Sequence, residues 1–275
     1  MDVTAAQYGV PLTDASVISL STGFITFCSS ISRMLSLSLP HERDGDRLMV
    51  TFKPELVLAK IESSADLPNY WEKVIGDYAF GLGPLSGDHH PVPFPASFTR
   101  MQLLFSMERF SLAHEYGHHV GKHGKRATIG VGGDADALGH EFEADLFALS
   151  LERHIGIRSG RPNPFAASGA SAVFLLKCHD CVRRVRQILL TGEDTIQSDG
   201  VHPETSNRIS AFDGLDHQLP DSQRDHLREM RDSCGAIVDE MYRRLKPVYT
   251  AMYKRGPTQS GSTSHCDFDP PSFLL

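Results

Sequence analysis

Residues 114–118 of this 275-residue chain read His-Glu-Tyr-Gly-His, so two histidines stand four positions apart with a glutamate directly after the first. The motif lies in a proline-free segment that starts at Ser97, a residue suited to a helix N-cap, and apolar spacing predicts one long helix to about His123. On a helix, residues four apart share a face, with Cβ atoms about 5–6 Å apart. The imidazoles of His114 and His118 can therefore reach one common ligand.

Two imidazole nitrogens on one helix face are typical of a Zn²⁺ site, where they bind the ion at about 2.0–2.1 Å. Glu115 points to the flank of that face, where its carboxylate can reach a water molecule at the metal and act as general base. The alternative is a solvated, histidine-rich helix surface, since the chain contains 14 histidines. The helical context and the small Gly117, which allows close packing behind a metal, favour the zinc site.

A catalytic zinc ion needs a third protein ligand. His123 is one position early for the signature H-E-x-x-H-x-x-G-x-x-H, in which Gly124 occupies the place of the third histidine. Glu141 is the better candidate, because Asp145 lies one turn later on the same face of a second predicted helix and can orient a ligand histidine. The alternative is that these acids form a solvated face or favourable charges near a helix N-terminus. Glu143 is expected to face solvent.

Three segments, taken in order, resemble one family. Residues 114–118 fit H-E-x-x-H, residues 141–145 fit E-x-x-A-D and residues 202–209 fit H-P-x-x-x-x-R-I, as in the gluzincin zinc metallopeptidases of the CAAX prenyl protease and HtpX group. The resemblance covers roughly residues 97–212. It implies a zinc-dependent endopeptidase with a zincin-like fold and Glu141 as third metal ligand. A more distant resemblance is to the ImmA/IrrE-like regulatory peptidases, which share the first two motifs.

The same resemblance implies that two later residues lie near the metal. His202 would stabilise the oxyanion or occlude the zinc, and Arg208 would pair with Asp145 or otherwise support the site. Pro203 suits the first turn of a helix, which places His202 on the loop before it and Arg208 on the helix itself. The alternative is that His202 and Pro203 only begin a helix and that Arg208 is a surface charge.

Composition argues against several classes of protein. A net charge of −7 disfavours a basic nucleic-acid-binding surface, and five scattered cysteines disfavour a disulfide scaffold and suit a reducing compartment. The first residues lack the basic segment of a secretory signal. Residues 15–32 are free of charge, but they contain six Ser and two Thr and have the rhythm of an amphipathic helix. We therefore expect a cytoplasmic protein without a transmembrane segment, which disfavours a membrane-embedded substrate.

The predicted fold is a predominantly helical, zincin-like α+β domain with a small β-sheet over residues 1–255, followed by a flexible tail at 256–275 that is rich in Gly, Ser, Thr and Pro. The predicted helices are a first one ended by Pro40, four at 54–62, 97–123, 137–155 and 171–190, a short one from Pro203 and a last one from Asp221 that Pro247 breaks or kinks. Strands are predicted at 48–52 and near 128–131, and a loop is predicted at 158–168. That last helix could form a homodimer, although packing on its own domain is favoured.

The sequence thus predicts Zn²⁺-dependent hydrolysis of peptide bonds in a protein or peptide substrate. Glu115 would activate the attacking water, and zinc with His202 would stabilise the oxyanion. A hypothesis of another class is a non-catalytic regulatory or interaction module that keeps a structural zinc on a zincin fold.

Overall fold

The computed structural model describes residues 4–10, 13–45, 47–82, 91–123, 134–158, 162–195 and 204–256, and this part of the chain is mostly helical. The helices are α1 (Thr22–Ser38), α2 (Pro54–Ser63), α3 (Leu67–Ala79), α4 (Ala96–Val120), α5 (Asp134–Arg158), α6 (Pro164–Ser168), α7 (Ala170–Thr191), α8 (Thr205–Phe212), a 3₁₀ helix (Asp213–Gln218) and α9 (Asp221–Arg255). The strands are β1 (Ala5–Gly9), β2 (Ser16–Leu20), β3 (His41–Asp44) and β4 (Arg47–Val50). They form two antiparallel pairs, β1–β2 and β3–β4. The prediction of a predominantly helical α+β protein is confirmed.

The core lies where α1, α3, α4, α7 and α9 meet, and large aromatic side chains fill it. Trp71 on α3 is buried, its ring stands edge-on to Phe174 of α7, and its indole N–H donates to the Ser38 hydroxyl over 3.0 Å. Burying a large ring while satisfying its polar atom fixes α3 against α1 and α7. The apolar face of α9 packs along α7 of the same chain.

Helices α4 and α5, which carry the predicted metal ligands, approach each other at two small residues. A Cβ atom at Gly117 would lie 2.9 Å from the Cα of Ala144 and 3.2 Å from its carbonyl oxygen. Cβ atoms do not come this close to backbone, so glycine alone fits at position 117. The small residues thus bring the two helices close together beside His114 and Glu141.

The N-terminal residues differ from the sequence-based prediction. Val17 and Leu20 were assigned to the rhythm of the first helix, but they lie on β2, opposite Tyr8 and Ala5 of β1. Pairing with β1 supplies backbone hydrogen bonds that short-range periodicity does not reveal. Ser21 follows this strand and caps α1, since its hydroxyl accepts the backbone N–H of Phe24 over 3.0 Å.

Three further elements depart from the prediction. Ser97 lies inside the first turn of α4 and is not its N-cap. The predicted loop at 158–168 contains α6, which Asn163 caps by accepting the backbone N–H groups of Phe165 and Ala166. Helix α3 was not predicted. The strand predicted at 128–131 and the tail from residue 257 onward lie outside the described residues.

The last helix continues through Pro247 to Arg255, contrary to the predicted break or kink. Packing on both sides of the proline stabilises it, because Leu245 and Tyr249 are buried and the Tyr249 hydroxyl donates to the carbonyl of Glu72 over 2.6 Å. These contacts offset the backbone hydrogen bond that proline removes. Among the described helices, none combines the length and the apolar composition that crossing a bilayer requires.

Candidate metal centre

Three side chains from two helices converge on one point. His114 and His118 project from α4 and Glu141 projects from α5, and their ligand atoms all lie within 4.8 Å of one another. The two histidine Nε2 atoms are 3.1 Å apart. Glu141 Oε1 lies 3.2 Å from His118 Nε2, and its Oε2 lies 3.5 Å from His114 Nε2. Within the described ranges, no other group of histidine, cysteine and acidic side chains is arranged to hold a metal ion.

The spacing of these atoms fits a tetrahedral zinc ion. Ligands bound at about 2.0–2.1 Å in tetrahedral geometry stand about 3.3–3.4 Å from one another. The two Nε2 atoms are 3.1 Å apart, and each has one oxygen of the Glu141 carboxylate at a similar distance: Oε1 at 3.2 Å from His118 and Oε2 at 3.5 Å from His114. Two imidazoles and one carboxylate are also the donor types that Zn²⁺ prefers at catalytic sites. The donor types and their proximity therefore fit Zn²⁺.

The charges buried around this point also favour a cation. Glu115 and Glu141 are each 9% exposed and Asp145 is fully buried, whereas Arg208 is the guanidinium that faces them. With the histidines neutral, as metal binding requires, three carboxylates against one guanidinium would leave two negative charges in a region shielded from water. Unpaired buried charge is costly, and a divalent cation would balance it.

Asp145 and Arg208 form a second layer behind His114. The Nδ1 atom of His114 lies 2.9 Å from Asp145 Oδ1, and the guanidinium of Arg208 contacts both oxygens of Asp145 at 2.6 and 2.7 Å. This arrangement keeps the His114 proton on Nδ1 and directs the lone pair of Nε2 toward the ligand group. The paired carboxylate and guanidinium hold the imidazole with Nε2 toward Glu141.

The pKa values at the site follow from these contacts. Burial alone would lower the pKa of His114, but hydrogen bonds with Asp145 and Glu141 raise it to about 9. Burial opposes the ionised form of Glu141, yet hydrogen bonds from His114 and His118 hold its pKa well below the usual range. In the metal-free protein a proton on His114 thus supplies positive charge at this point, and binding of a metal ion would have to release it.

Glu115 lies beside the ligand group, against strand β1. Burial raises the pKa of its carboxyl, although the nearby His114 and His118 and a hydrogen bond from the backbone N–H of Gln7 oppose this shift. Gln7 stands opposite Ile18 on β2 and directs its N–H toward α4. A second contact, 3.0 Å between the Ser16 hydroxyl and His119 Nδ1, fastens the hairpin to the same helix.

The structure brings most of the predicted site residues together. His114, His118 and Glu141 form the ligand group, Glu115 flanks it, and Asp145 and Arg208 lie behind it. His123 is not in that group and instead contacts the other side of the His118 ring, with its Nδ1 atom 2.9 Å from the Nδ1 atom of His118. His202 and Pro203 lie outside the described residues, so the role of His202 stays a prediction. The contact of Gln7 with Glu115 was missed, because a backbone donor has no side-chain signature.

Comparisons with known proteins add no relative to this picture. No family model matches the chain, and no curated protein or solved structure is significantly similar to it. The resemblance to gluzincins therefore rests on three short motifs, and function has to be inferred from the site itself.

Proposed function

We propose that this protein is a zinc-dependent metallopeptidase with a zincin-like fold of the gluzincin type. His114, His118 and Glu141 would bind Zn²⁺, and Glu115 would be the general base. The observation that carries the proposal is the convergence of two imidazoles and one carboxylate from α4 and α5, with ligand atoms within 4.8 Å of one another. Three protein ligands are typical of catalytic zinc, because the fourth position is left for water or substrate.

When bound, Zn²⁺ supplies Lewis acidity, which polarises a substrate carbonyl and lowers the pKa of water to about 7. Glu115 accepts a proton from the attacking water and delivers it to the leaving amine. Burial favours this role, since it raises the pKa of the Glu115 carboxyl. Asp145 and Arg208 keep His114 oriented throughout, and His202 is proposed to donate to the oxyanion or to occlude the metal.

The proposed substrate is a protein or peptide, and the proposed location is the cytoplasm. The four cysteines in the described residues are unpaired and buried, which agrees with a reducing compartment. A homodimer through α9 stays a prediction, and the packing of α9 on α7 favours the alternative of an intramolecular role.

A non-catalytic module with a structural zinc is the competing function. Structural zinc sites are closed by four protein ligands. In the part of the chain that the structure describes, three residues make up the ligand group, and a buried glutamate stands beside it. This arrangement favours catalysis over a purely structural ion.

Glu115→Gln tests the proposal, because it keeps the shape of the side chain and removes its basicity. We expect zinc content and folding to stay at wild-type values and hydrolysis to fall by about 10²–10⁴-fold, the usual contribution of a general base. The assay compares proteome-wide cleavage by the two proteins and measures their metal content. Glu108→Gln, on the same helix but outside the ligand group, is the matched control. Equal cleavage by wild type and Glu115→Gln would refute the mechanism.

A further inference from the structure

The turn after α4 directs His123 back toward the metal ligands. Lys122 adopts a left-handed backbone conformation with φ of 56°, which is uncommon for a residue with a side chain. A Cβ atom at Gly121 would lie 2.2 Å from His123 Nε2, so the ring occupies space that only glycine leaves open. The buried His123 ring thus goes with one unusual backbone conformation, at Lys122, and with one position without a side chain, at Gly121.

Both nitrogens of His123 have partners. Its Nδ1 atom lies 2.9 Å from the Nδ1 atom of His118, and its Nε2 atom lies 3.0 Å from Glu143 Oε2 on α5. The His123 ring also stacks on His140, with centroids 4.1 Å apart and planes 9° from parallel. His123 therefore connects a candidate metal ligand on α4 with two residues on α5.

The positions of the protons follow from the chemistry of imidazole. His118 presents Nε2 to the ligand group, so a neutral, metal-binding His118 carries its proton on Nδ1. The Nδ1 atom of His123 must then accept that proton, which leaves the proton of His123 on Nε2. A carboxylate can only accept, and Glu143 is placed to receive it. Each hydrogen bond in the series has one donor and one acceptor, so a single arrangement of protons satisfies it.

We propose that His123 is a positioning residue, which holds His118 in its metal-binding tautomer while Glu143 fixes the proton on the far nitrogen of His123. The inference rests on the proposed zinc site and deepens it, because each histidine ligand then has its own partner. Asp145 and Arg208 orient His114 from the buried side. His123 and Glu143, whose side chain is 62% exposed, orient His118 from the solvent side.

The test measures Zn²⁺ affinity by competition with a chromophoric chelator, using the full chain. His123→Phe keeps an aromatic ring on His140 and removes the acceptor, and we expect affinity to fall about 10–100-fold, the usual effect of losing such a partner. His123→Asn places an amide oxygen near the position of Nδ1, and we expect it to restore most of the loss. His140→Phe keeps the stacked ring, has no part in the series of hydrogen bonds, and is expected to bind zinc as the wild type does.

Two further readouts separate positioning from general stability. Urea unfolding of the metal-free variants measures their free energy of unfolding. If His123 had only a structural role, His123→Phe would lower this free energy first, and any fall in Zn²⁺ affinity would follow from the weaker fold. The d–d absorption of bound Co²⁺ reports ligand geometry, and we expect it to change in His123→Phe and to return in His123→Asn. Unchanged affinity in His123→Phe, or a loss that His123→Asn does not restore, would overturn the inference.

These experiments distinguish failure of the proposed function from failure of the proposed role of His123. A wild type that binds zinc tightly but hydrolyses no peptide bond would refute the peptidase, while the affinity series would still support His123. Normal hydrolysis with unchanged affinity in His123→Phe would refute the role of His123 alone. A wild type that binds no zinc would refute both.

Discussion

Replacing Arg208 by methionine should destabilise the metal-free protein strongly. Arg208 contacts both oxygens of Asp145 at 2.6 and 2.7 Å, and Asp145 is fully buried. Methionine fills similar space, but it leaves the carboxylate with the hydrogen bond from His114 as its remaining polar contact from this cluster. The change therefore isolates the cost of an uncompensated buried charge.

The expected magnitude follows from the burial of the pair. Removing one partner of a buried ion pair lowers the free energy of unfolding by about 3–5 kcal/mol. Because the hydrogen bond with His114 remains, we expect the lower end, about 3 kcal/mol in the free energy of unfolding. Arg224→Met is the matched control, since Arg224 contacts the 85% exposed Asp221 at 2.8 Å on the surface of α9. An exposed pair of this kind contributes less than about 1 kcal/mol.

Urea unfolding in the presence of a chelator measures both variants, and its pH dependence adds a second check. Although burial raises the pKa of Asp145, Arg208 and His114 bring it below the ordinary 3.8. The stabilisation is therefore complete above pH 3.8 and is lost as the pH falls through the native pKa. The deficit of Arg208→Met should shrink in acid. Equal losses in Arg208→Met and Arg224→Met, or a deficit independent of pH, would refute the reasoning.

Three further predictions concern the site and its support. Glu141→Ala should lower zinc content sharply in metal analysis of the purified protein, whereas His123→Ala should still take up zinc when the metal is in excess. Full zinc content in Glu141→Ala would contradict the assignment of Glu141 as a ligand. Gly117→Ala should cost about 1–3 kcal/mol in the free energy of unfolding, because its Cβ would meet Ala144 at 2.9 Å. The control Gly139→Ala, whose Cβ would have nothing within 4 Å, should be neutral or stabilising. Equal effects of the two substitutions would refute the close approach of the helices. Asp194→Asn should weaken the dependence of the free energy of unfolding on pH in acid. Arg184, Lys246 and Tyr242 outweigh burial and lower the pKa of Asp194 from 3.8 to about 2, so the wild type loses this stabilisation as the pH falls below 3.8. Parallel curves for the two proteins would contradict this prediction.

Local sequence signals predicted the elements that depend on local structure. Helices α2, α4, α5 and α7 begin and end within a few residues of the predicted bounds, because apolar periodicity and proline or glycine punctuation act over one or two turns. The meeting of α4 and α5 beside Glu141 was also accessible, since Gly117 and Ala144 are small at the places where the predicted ligands require a close approach.

Features that depend on long-range pairing were not accessible in this way. Val17 and Leu20 fit a helical rhythm as well as a strand, and only β1 decides between the two. The contact of His123 with His118 depends on the left-handed Lys122, which no local pattern demands. Helix α3 had a usable signal that was overlooked, because Pro68 stands in the first turn and buried aromatic residues recur at Trp71 and Tyr78.

The most direct test of the central claim is anomalous X-ray diffraction at the zinc absorption edge from crystals of the full chain grown with Zn²⁺. The proposed centre predicts one strong peak about 2.0–2.1 Å from Nε2 of His114, Nε2 of His118 and a carboxylate oxygen of Glu141. No peak at this position, or a peak bonded to His123 with Glu141 remote from it, would contradict the claim.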